Sequence, residues 1–115
     1  MDAGTTLRIT PQELLGLRKQ AKPPLVIDVR RETAFQSAVD QIAGALRRDP
    51  ATIADWAARL PVAQHIVVYC VRGHEVSQNA AKTLCAGGLP ARFLEGGIEA
   101  WRAAGGDLSP KSIQK

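Results

Sequence analysis

The sequence predicts a single α/β domain built around a mostly parallel sheet, and two observations carry that prediction. First, residues 25–29 and 65–69 are continuous apolar runs closed by turn residues, which is typical of strands buried on both faces of a sheet. Second, stretches with helical spacing alternate with these runs along the chain. A length of 115 residues suffices for one core and is too short for two.

The N-terminal third begins with a short strand and a capped helix. Residues 7–9 favour a strand, and residues 10–13 (Thr-Pro-Gln-Glu) combine a capping box with proline at the first helical position. This helix is expected to continue to about Lys19, because Pro23 and Pro24 cannot extend it. The strand at residues 25–29 follows, with Asp28 near its carboxyl end.

The remaining elements alternate in the same way. Residues 31–38 form a helical segment, and a turn around Gly44 leads to another strand. A helix opens at Asp49 and Pro50 and is ended by Pro61, with Trp56 on its apolar face. After the strand at residues 65–69 come a helix at 76–86, a strand at 91–94 and a helix carrying Trp101. We expect both tryptophans in the core, and a loosely ordered tail over residues 105–115 because that stretch is polar and lacks periodicity.

Composition and charge exclude several functional classes. The net charge is +4, but the basic residues are scattered and only 4% of residues are aromatic, so nucleic acid is not an expected partner. No stretch approaches the roughly 18 apolar residues of a membrane span, and the N-terminus lacks a secretory pattern. We therefore expect a cytoplasmic protein with no membrane partner. Two cysteines fifteen positions apart do not form a secreted disulfide framework, so Cys70 can remain a thiol.

Cys70 stands where the strand at 65–69 gives way to the helix at 76–86. In α/β sheets, ligands bind at the carboxyl ends of the strands, where Asp28 also lies. Backbone N–H groups of the loop at 71–76 and the helix N-terminus can converge on the sulfur, where they favour a thiolate. Arg72 adds positive charge, and Gly73 permits a tight backbone path. The pattern indicates an activated nucleophile in an oxyanion-binding loop.

The cysteine and histidine residues are also compatible with other kinds of site. Cys85 lies on an apolar helix face and is expected to be a small buried hydrophobe. A helical rise of about 12 Å separates it from the loop, too far for pairing with Cys70. A zinc site from Cys70, His65, His74 and Glu75 lacks the usual ligand spacing. His74 is either a general base for the cysteine or, as we favour, a solvated loop residue.

Four motifs in order resemble the rhodanese (sulfurtransferase) family over nearly the whole chain. They are Asp-Val-Arg at 28–30 after a buried strand, Ile-Ala-Gly-Ala at 42–45, Tyr-Cys at 69–70 with the glycine-containing loop, and Glu-Gly-Gly-Ile-Glu-Ala-Trp at 95–101. The resemblance implies a rhodanese-like domain over residues 1–104. It also implies a three-layer fold with a central parallel five-stranded sheet flanked by helices.

The resemblance further implies an activity, a sulfurtransferase that carries a persulfide on Cys70. The donor would be thiosulfate or a similar small sulfur-containing anion, and the acceptor would be cyanide in the test tube or a thiol in the cell. No metal or other cofactor is implied. The loop residues that would bind the substrate are Val71, Arg72, Gly73, His74, Glu75 and Val76. Asp28 and Arg30 would support the loop, with a salt bridge as the simpler interpretation of Arg30.

Two departures from the family pattern keep alternatives open. Gln41 and Ala43 replace the usual His and Pro of the turn. The loop counts seven residues from Cys70 to Val76, where single-domain members commonly have six, and seven is the length in cell-cycle phosphatases of the same fold. Those enzymes end the loop with an arginine, which is Val76 here. A phosphatase or arsenate reductase therefore stays an alternative, as does a non-catalytic sulfur-relay or redox-sensing module.

Overall fold

The computed structural model describes residues 7–60 and 65–110. Its strands and helices follow the predicted alternation, and a short 3-10 helix at Pro50–Thr52 precedes the third α-helix. The elements in chain order are β1 Arg8–Ile9, α1 Pro11–Arg18, β2 Leu25–Asp28, α2 Glu32–Ser37, β3 Asp40–Ile42, β4 Leu46–Arg47, α3 Ile53–Ala57, β5 Ile66–Tyr69, α4 Glu75–Ala86, β6 Ala91–Leu94, α5 Gly97–Ala103 and β7 Leu108–Pro110.

Five of the strands form a parallel sheet in the order β1-β6-β5-β2-β4. Strand β5 lies at its centre, and all four of its residues are buried. Because side chains alternate along a strand, Val67 and Tyr69 enter one core cluster while Ile66 and Val68 enter the other. The predicted three-layer α/β fold with a five-stranded parallel sheet is confirmed.

The helices cover both faces of this sheet. Leu14 of α1 and Trp101 of α5 pack in the cluster on one face. Trp56 of α3 and Leu84 of α4 pack in the cluster on the other. Both tryptophans are buried, as predicted, and the capping box at Thr10 is present with Pro11 at the first helical position. The proline at position 61, predicted to end a helix, lies outside the described residues.

The turn between β3 and β4 is closed without the histidine and proline usual in the related family. The Gln41 side-chain amide donates to the carbonyl of Ala45 at 3.0 Å, and the Ala45 N–H donates to the carbonyl of Ile42 at 3.0 Å. Gly44 adopts a φ of 80°, which a glycine accommodates without strain. The Gln41 side chain therefore helps to close this turn in place of the residues usual in the family.

The C-terminal stretch differs from the predicted loosely ordered tail where it is described. Leu108–Pro110 forms β7, which pairs antiparallel with β3. The carbonyl of Asp107 accepts from both the Trp101 indole N–H at 2.8 Å and the backbone N–H of Ala43 at 3.1 Å. Gly106 lies so close to the Trp101 ring that a Cβ there would be 2.0 Å from it. These contacts hold the chain in place as far as residue 110. They do not depend on a periodic sequence pattern, so the sequence alone does not reveal them.

Candidate active site

Cys70 follows the last residue of β5 directly, and α4 begins five positions later at Glu75. This places the thiol at the carboxyl edge of the sheet, as the sequence predicts. Its residue is only 6% exposed, so the sulfur lies at the floor of an opening rather than on the surface.

The start of α5 fixes the direction of the loop backbone. The N–H of Ile98 donates to the carbonyl of Cys70 at 3.0 Å, and the N–H of Glu99 donates to the carbonyl of Val71 at 3.2 Å. In a trans peptide the C=O and N–H point in opposite directions. The N–H groups of Val71 and Arg72 therefore point away from α5.

Two glycines let the loop and the α5 turn approach this closely. A Cβ on Gly97 would lie 2.4 Å from the carbonyl oxygen of Cys70, and one on Gly73 would lie 2.6 Å from the backbone nitrogen of Gly96. Both glycines also have positive φ, +60° for Gly97 and +73° for Gly73. Gly73 was predicted to bind substrate, but it is buried against this turn and does not line the cavity above Cys70.

The loop leaves a set of backbone donors without acceptors. Within the described residues, no protein group accepts a hydrogen bond from the N–H groups of residues 71–77. The first N–H groups of α4 have no intrahelical partner, and its His74 N-cap supplies no side-chain cap. Unpaired backbone N–H groups at the N-terminus of a helix can stabilise a bound anion.

Ser77 supplies a side-chain partner for the sulfur. Its Oγ lies 3.2 Å from Cys70 Sγ, and the serine is fully buried in the first turn of α4. A hydroxyl in this position can accept from the thiol and can donate to a thiolate or persulfide. Sequence reasoning missed this residue, although a serine in the first helical turn after a nucleophile loop is the signal that would have found it.

A cavity of about 460 Å³ opens above Cys70. Five of the six predicted loop residues line it, all except Gly73. Its lining residues are Arg30, Arg31, Ala34, Cys70, Val71, Arg72, His74, Glu75 and Val76. His74 and Arg72 are exposed at the opening, whereas Val76 is half-buried.

Asp28 and Arg30 form a buried ion pair beneath this cavity. Arg30 donates from Nε and Nη2 to the carboxylate of Asp28, the shortest contact being 2.6 Å, and the two side chains are 3% and 0% exposed. Burial is the largest single influence and by itself would lower the pKa of Arg30, but hydrogen bonding to Asp28 and the attraction of the Asp28 charge together outweigh it and raise that pKa. The guanidinium therefore stays charged and fixed in place.

Tyr69 extends this network to the neighbouring turn. Its hydroxyl donates to Asp28 Oδ2 at 3.0 Å and accepts from the backbone N–H of Ile42 at 3.1 Å. Burial, together with the Asp28 carboxylate, raises the pKa of Tyr69 far above its ordinary value. The phenol remains a donor at any physiological pH, and it joins β2, β5 and the end of β3 behind the loop.

Arg31 also lines the cavity, although it was not predicted to belong to the site. It follows Arg30 directly, and its Nη2 lies 3.6 Å from Oε2 of Glu75. The sequence signal was its position just beyond the carboxyl end of β2, next to the strand that carries Cys70.

Metal binding and cysteine pairing find no geometric support in the described residues. No group of three or more His, Cys, Asp or Glu side chains there is arranged to hold a metal ion. Both cysteines are free, and Cys85 is only half-buried: it packs against the core cluster with its Sγ 3.1 Å from the carbonyl of Ala91. No helix in the described ranges is long and apolar enough to cross a membrane.

Fold and site together define a class: a parallel α/β domain with a cysteine at the carboxyl edge of its sheet, in a loop whose backbone N–H groups have no acceptor among the described residues. The family profile of the rhodanese-like domain matches residues 10–104. The chain is also 35% identical over 97 residues to the thiosulfate sulfurtransferase GlpE of Pseudomonas savastanoi pv. phaseolicola, covering 84% of this chain and 87% of that one. The chain belongs to the rhodanese-like domain family.

Solved structures agree with this assignment. A rhodanese-like domain protein from Staphylococcus aureus superposes with a TM-score of 0.75 at 30% identity, covering 91% of this chain and 98% of that chain. A protein from Rhodopseudomonas palustris described as a possible tyrosine phosphatase superposes with a TM-score of 0.76 at 28% identity, covering 91% and 86% of the two chains.

Proposed function

We propose that this chain is a thiosulfate-type sulfurtransferase that carries a sulfane sulfur on Cys70. The observation that supports this most is the environment of the sulfur. A buried Cys70 thiol has the Ser77 hydroxyl at 3.2 Å, and the backbone N–H groups of the following loop have no acceptor in the part of the chain that the structure describes. The name of the relatives at 35–36% identity, thiosulfate sulfurtransferase, agrees with the chemistry that such a site can perform.

In the first half-reaction the Cys70 thiolate attacks the outer sulfur of thiosulfate. A new sulfur–sulfur bond forms on the enzyme, the sulfur–sulfur bond of thiosulfate breaks, and sulfite leaves with the bonding electron pair. The product is an anionic persulfide on Cys70, and the loop N–H groups and Ser77 hold its charge. Substrate contacts come from Val71, Arg72, His74, Glu75 and Val76, which line the cavity.

In the second half-reaction an acceptor attacks the outer persulfide sulfur. Cyanide gives thiocyanate, and a thiolate gives a new persulfide; in both cases the electrons of the broken bond return to Cys70 as thiolate. The acceptor in the cell is a small-molecule or protein thiol. This chemistry needs a reduced Cys70, which accords with the cytoplasmic location predicted from the sequence.

The Asp28–Arg30 pair supports the site without touching the sulfur. It fixes the end of β2 beside the loop, and Arg30 contributes one wall of the cavity. Because the negative charge of Asp28 offsets the positive charge of Arg30, the side chains that attract an anion to the cavity are mainly the other arginines that line it, Arg31 and Arg72.

A phosphatase is the competing function, favoured by the seven-residue loop and by the Rhodopseudomonas palustris relative described as a possible tyrosine phosphatase. Phosphoryl transfer depends on a guanidinium that clamps the equatorial oxygens. Here the loop ends in Val76, which cannot donate. Thiosulfate:cyanide turnover measured beside aryl phosphate hydrolysis, each in wild type and Cys70→Ser, decides between the two functions.

The same turnover assay distinguishes an enzyme from a non-catalytic relay or sensor. Turnover by the isolated chain with small molecules alone would support the enzyme. Stoichiometric sulfur loading of Cys70 without turnover would support a relay module.

A further inference from the structure

Two oppositely charged side chains face each other at the opening of the Cys70 cavity. Arg31 is the N-cap residue of α2, and Glu75 is the first residue of α4. Their charged groups are 3.6 Å apart, and the side chains are 65% and 76% exposed. Both line the cavity that has Cys70 on its floor.

The neighbouring arginines differ in their freedom to move. Arg30 is buried and held by Asp28 and by the carbonyl of Asp40, so it cannot turn toward a ligand without breaking those bonds. The Arg31 guanidinium, by contrast, pairs with Glu75 in an exposed ion pair, and such pairs contribute little to stability. It also lines a second cavity of about 410 Å³, which gives its side chain room to leave Glu75.

The charged side chains at the opening favour a doubly charged anion that takes the place of the Glu75 carboxylate. Among the described residues that line the cavity, Arg31 and Arg72 are the arginines outside the buried Asp28–Arg30 pair, and Glu75 is the one carboxylate. An oxyanion with two charges attracts Arg31 more strongly than a single carboxylate does. A donor whose outer sulfur reaches Cys70 on the floor leaves its charged oxygens nearer the opening.

We propose that Arg31 is a specificity-determining residue of this site. It binds the oxyanion end of a sulfur donor, and Glu75 is the internal anion that the donor must displace. This inference rests on the proposed sulfurtransferase function and adds the residues that select a doubly charged donor. Glu75 thereby weakens donor binding and disfavours anions of lower charge.

The test is steady-state kinetics of Arg31→Gln, Arg31→Lys, Glu75→Gln and the Arg31→Gln/Glu75→Gln double variant. Thiosulfate, a dianion, is compared with an alkyl thiosulfonate, a monoanion, at fixed ionic strength and with cyanide as acceptor. Arg59→Gln and Asp55→Asn are the controls, since these exposed residues on or beside α3 give the same changes in net charge outside the cavity.

We expect Arg31→Gln to raise the KM for thiosulfate about fivefold with little change in kcat. The effect should be smaller for the monoanion, and Arg31→Lys should recover part of the loss. Glu75→Gln should lower the KM for thiosulfate, and most of that gain should disappear when Arg31 is also replaced. The dependence of the rate on cyanide should change little, because donor binding and acceptor attack belong to separate half-reactions.

Two outcomes would overturn the inference and are distinguishable. Normal wild-type turnover, with Arg31→Gln matching Arg59→Gln for both donors, would remove Arg31 from donor binding and leave the proposed function intact. Absence of any Cys70-dependent turnover in wild type would overturn the proposed function and this inference with it.

Discussion

The side-chain oxygen of Ser77 lies 3.2 Å from the sulfur of Cys70, and Ser77 is fully buried. The two residues are seven positions apart, on opposite sides of the loop that forms the candidate active site. The first turn of α4 therefore contributes a side-chain hydroxyl to the sulfur, while its backbone N–H groups stay without an acceptor among the described residues.

Replacing Ser77 with alanine is expected to slow sulfur transfer. A hydrogen bond to a charged sulfur is worth about 1.5 kcal/mol, so kcat/KM for thiosulfate should fall about tenfold. Thr83→Ala is the matched control, because it removes an exposed hydroxyl from the same helix. Equal activity of the two variants would show that the Ser77 hydroxyl does not assist the sulfur.

The contact between Gly97 and the loop gives a second prediction. Gly97→Ala introduces a Cβ that overlaps the carbonyl of Cys70 and a side chain at positive φ, whereas Gly88→Ala has a similar φ in open space. The shared backbone cost is about 1 kcal/mol, and the overlap costs about 1–3 kcal/mol more.

The free energy of unfolding in urea and the rate of thiosulfate turnover are measured for both glycine variants. Gly97→Ala should lose more stability than Gly88→Ala and should lose activity even when it is folded, because the loop must shift. Retained activity with only the Gly88-like stability loss would mean that the close approach is not needed for the site.

The ion pair between Asp40 and Arg102 predicts how stability depends on pH. Hydrogen bonding from Arg102, at 2.7 Å, lowers the pKa of Asp40 below its ordinary value. A lowered folded-state pKa stabilises the fold above the unfolded-state pKa, and this contribution is lost as the pH falls through the folded-state pKa.

Arg102→Gln removes the cause of this shift. The partly exposed pair should contribute about 0.5–1 kcal/mol to the free energy of unfolding at neutral pH. The difference from wild type should shrink as the pH falls below about 4 and should be smaller at high salt. Arg59→Gln is the control, and a difference that is constant down to pH 3 would rule out a contribution from the Asp40 charge.

The seven-residue loop predicts binding of larger oxyanions. One more backbone unit should widen the ring of N–H donors, so phosphate and arsenate are expected to inhibit competitively with thiosulfate. They should not turn over, because Val76 supplies no guanidinium. The measurement is inhibition at fixed ionic strength beside an aryl phosphatase assay, in wild type and Val76→Arg. Cys70-dependent phosphate release by wild type would instead favour the phosphatase function.

The order of elements and the place of Cys70 could be predicted because each rests on local patterns. Apolar runs predicted β2 and β5, and the capping box at Thr10 predicted the start of α1. Asp28 and Cys70 were both predicted at the carboxyl ends of strands, and Asp28 accepts a hydrogen bond from Tyr69, the residue that precedes Cys70. The family resemblance supplied the five-strand count.

The features that were not predicted depend on contacts between distant segments. Ser77 reaches the sulfur because α4 begins with its first turn over Cys70, so its contact depends on the direction of the helix as well as on its place in that turn. Gly73 is a residue type common in ligand-binding loops, yet here it packs against the turn that begins α5. Strand β7 is held by backbone hydrogen bonds to β3, and the residue before it, Asp107, accepts from the Trp101 indole. The polar sequence of this stretch does not reveal either contact.

The central claim is that Cys70 carries the transferred sulfur, and intact mass spectrometry after exposure to thiosulfate tests it most directly. After removal of excess donor, wild type and Cys85→Ser should each gain the mass of one sulfur atom and lose it on addition of cyanide. Cys70→Ser should gain none while keeping its fold. A sulfur adduct retained in Cys70→Ser but absent in Cys85→Ser would contradict the assignment of the site.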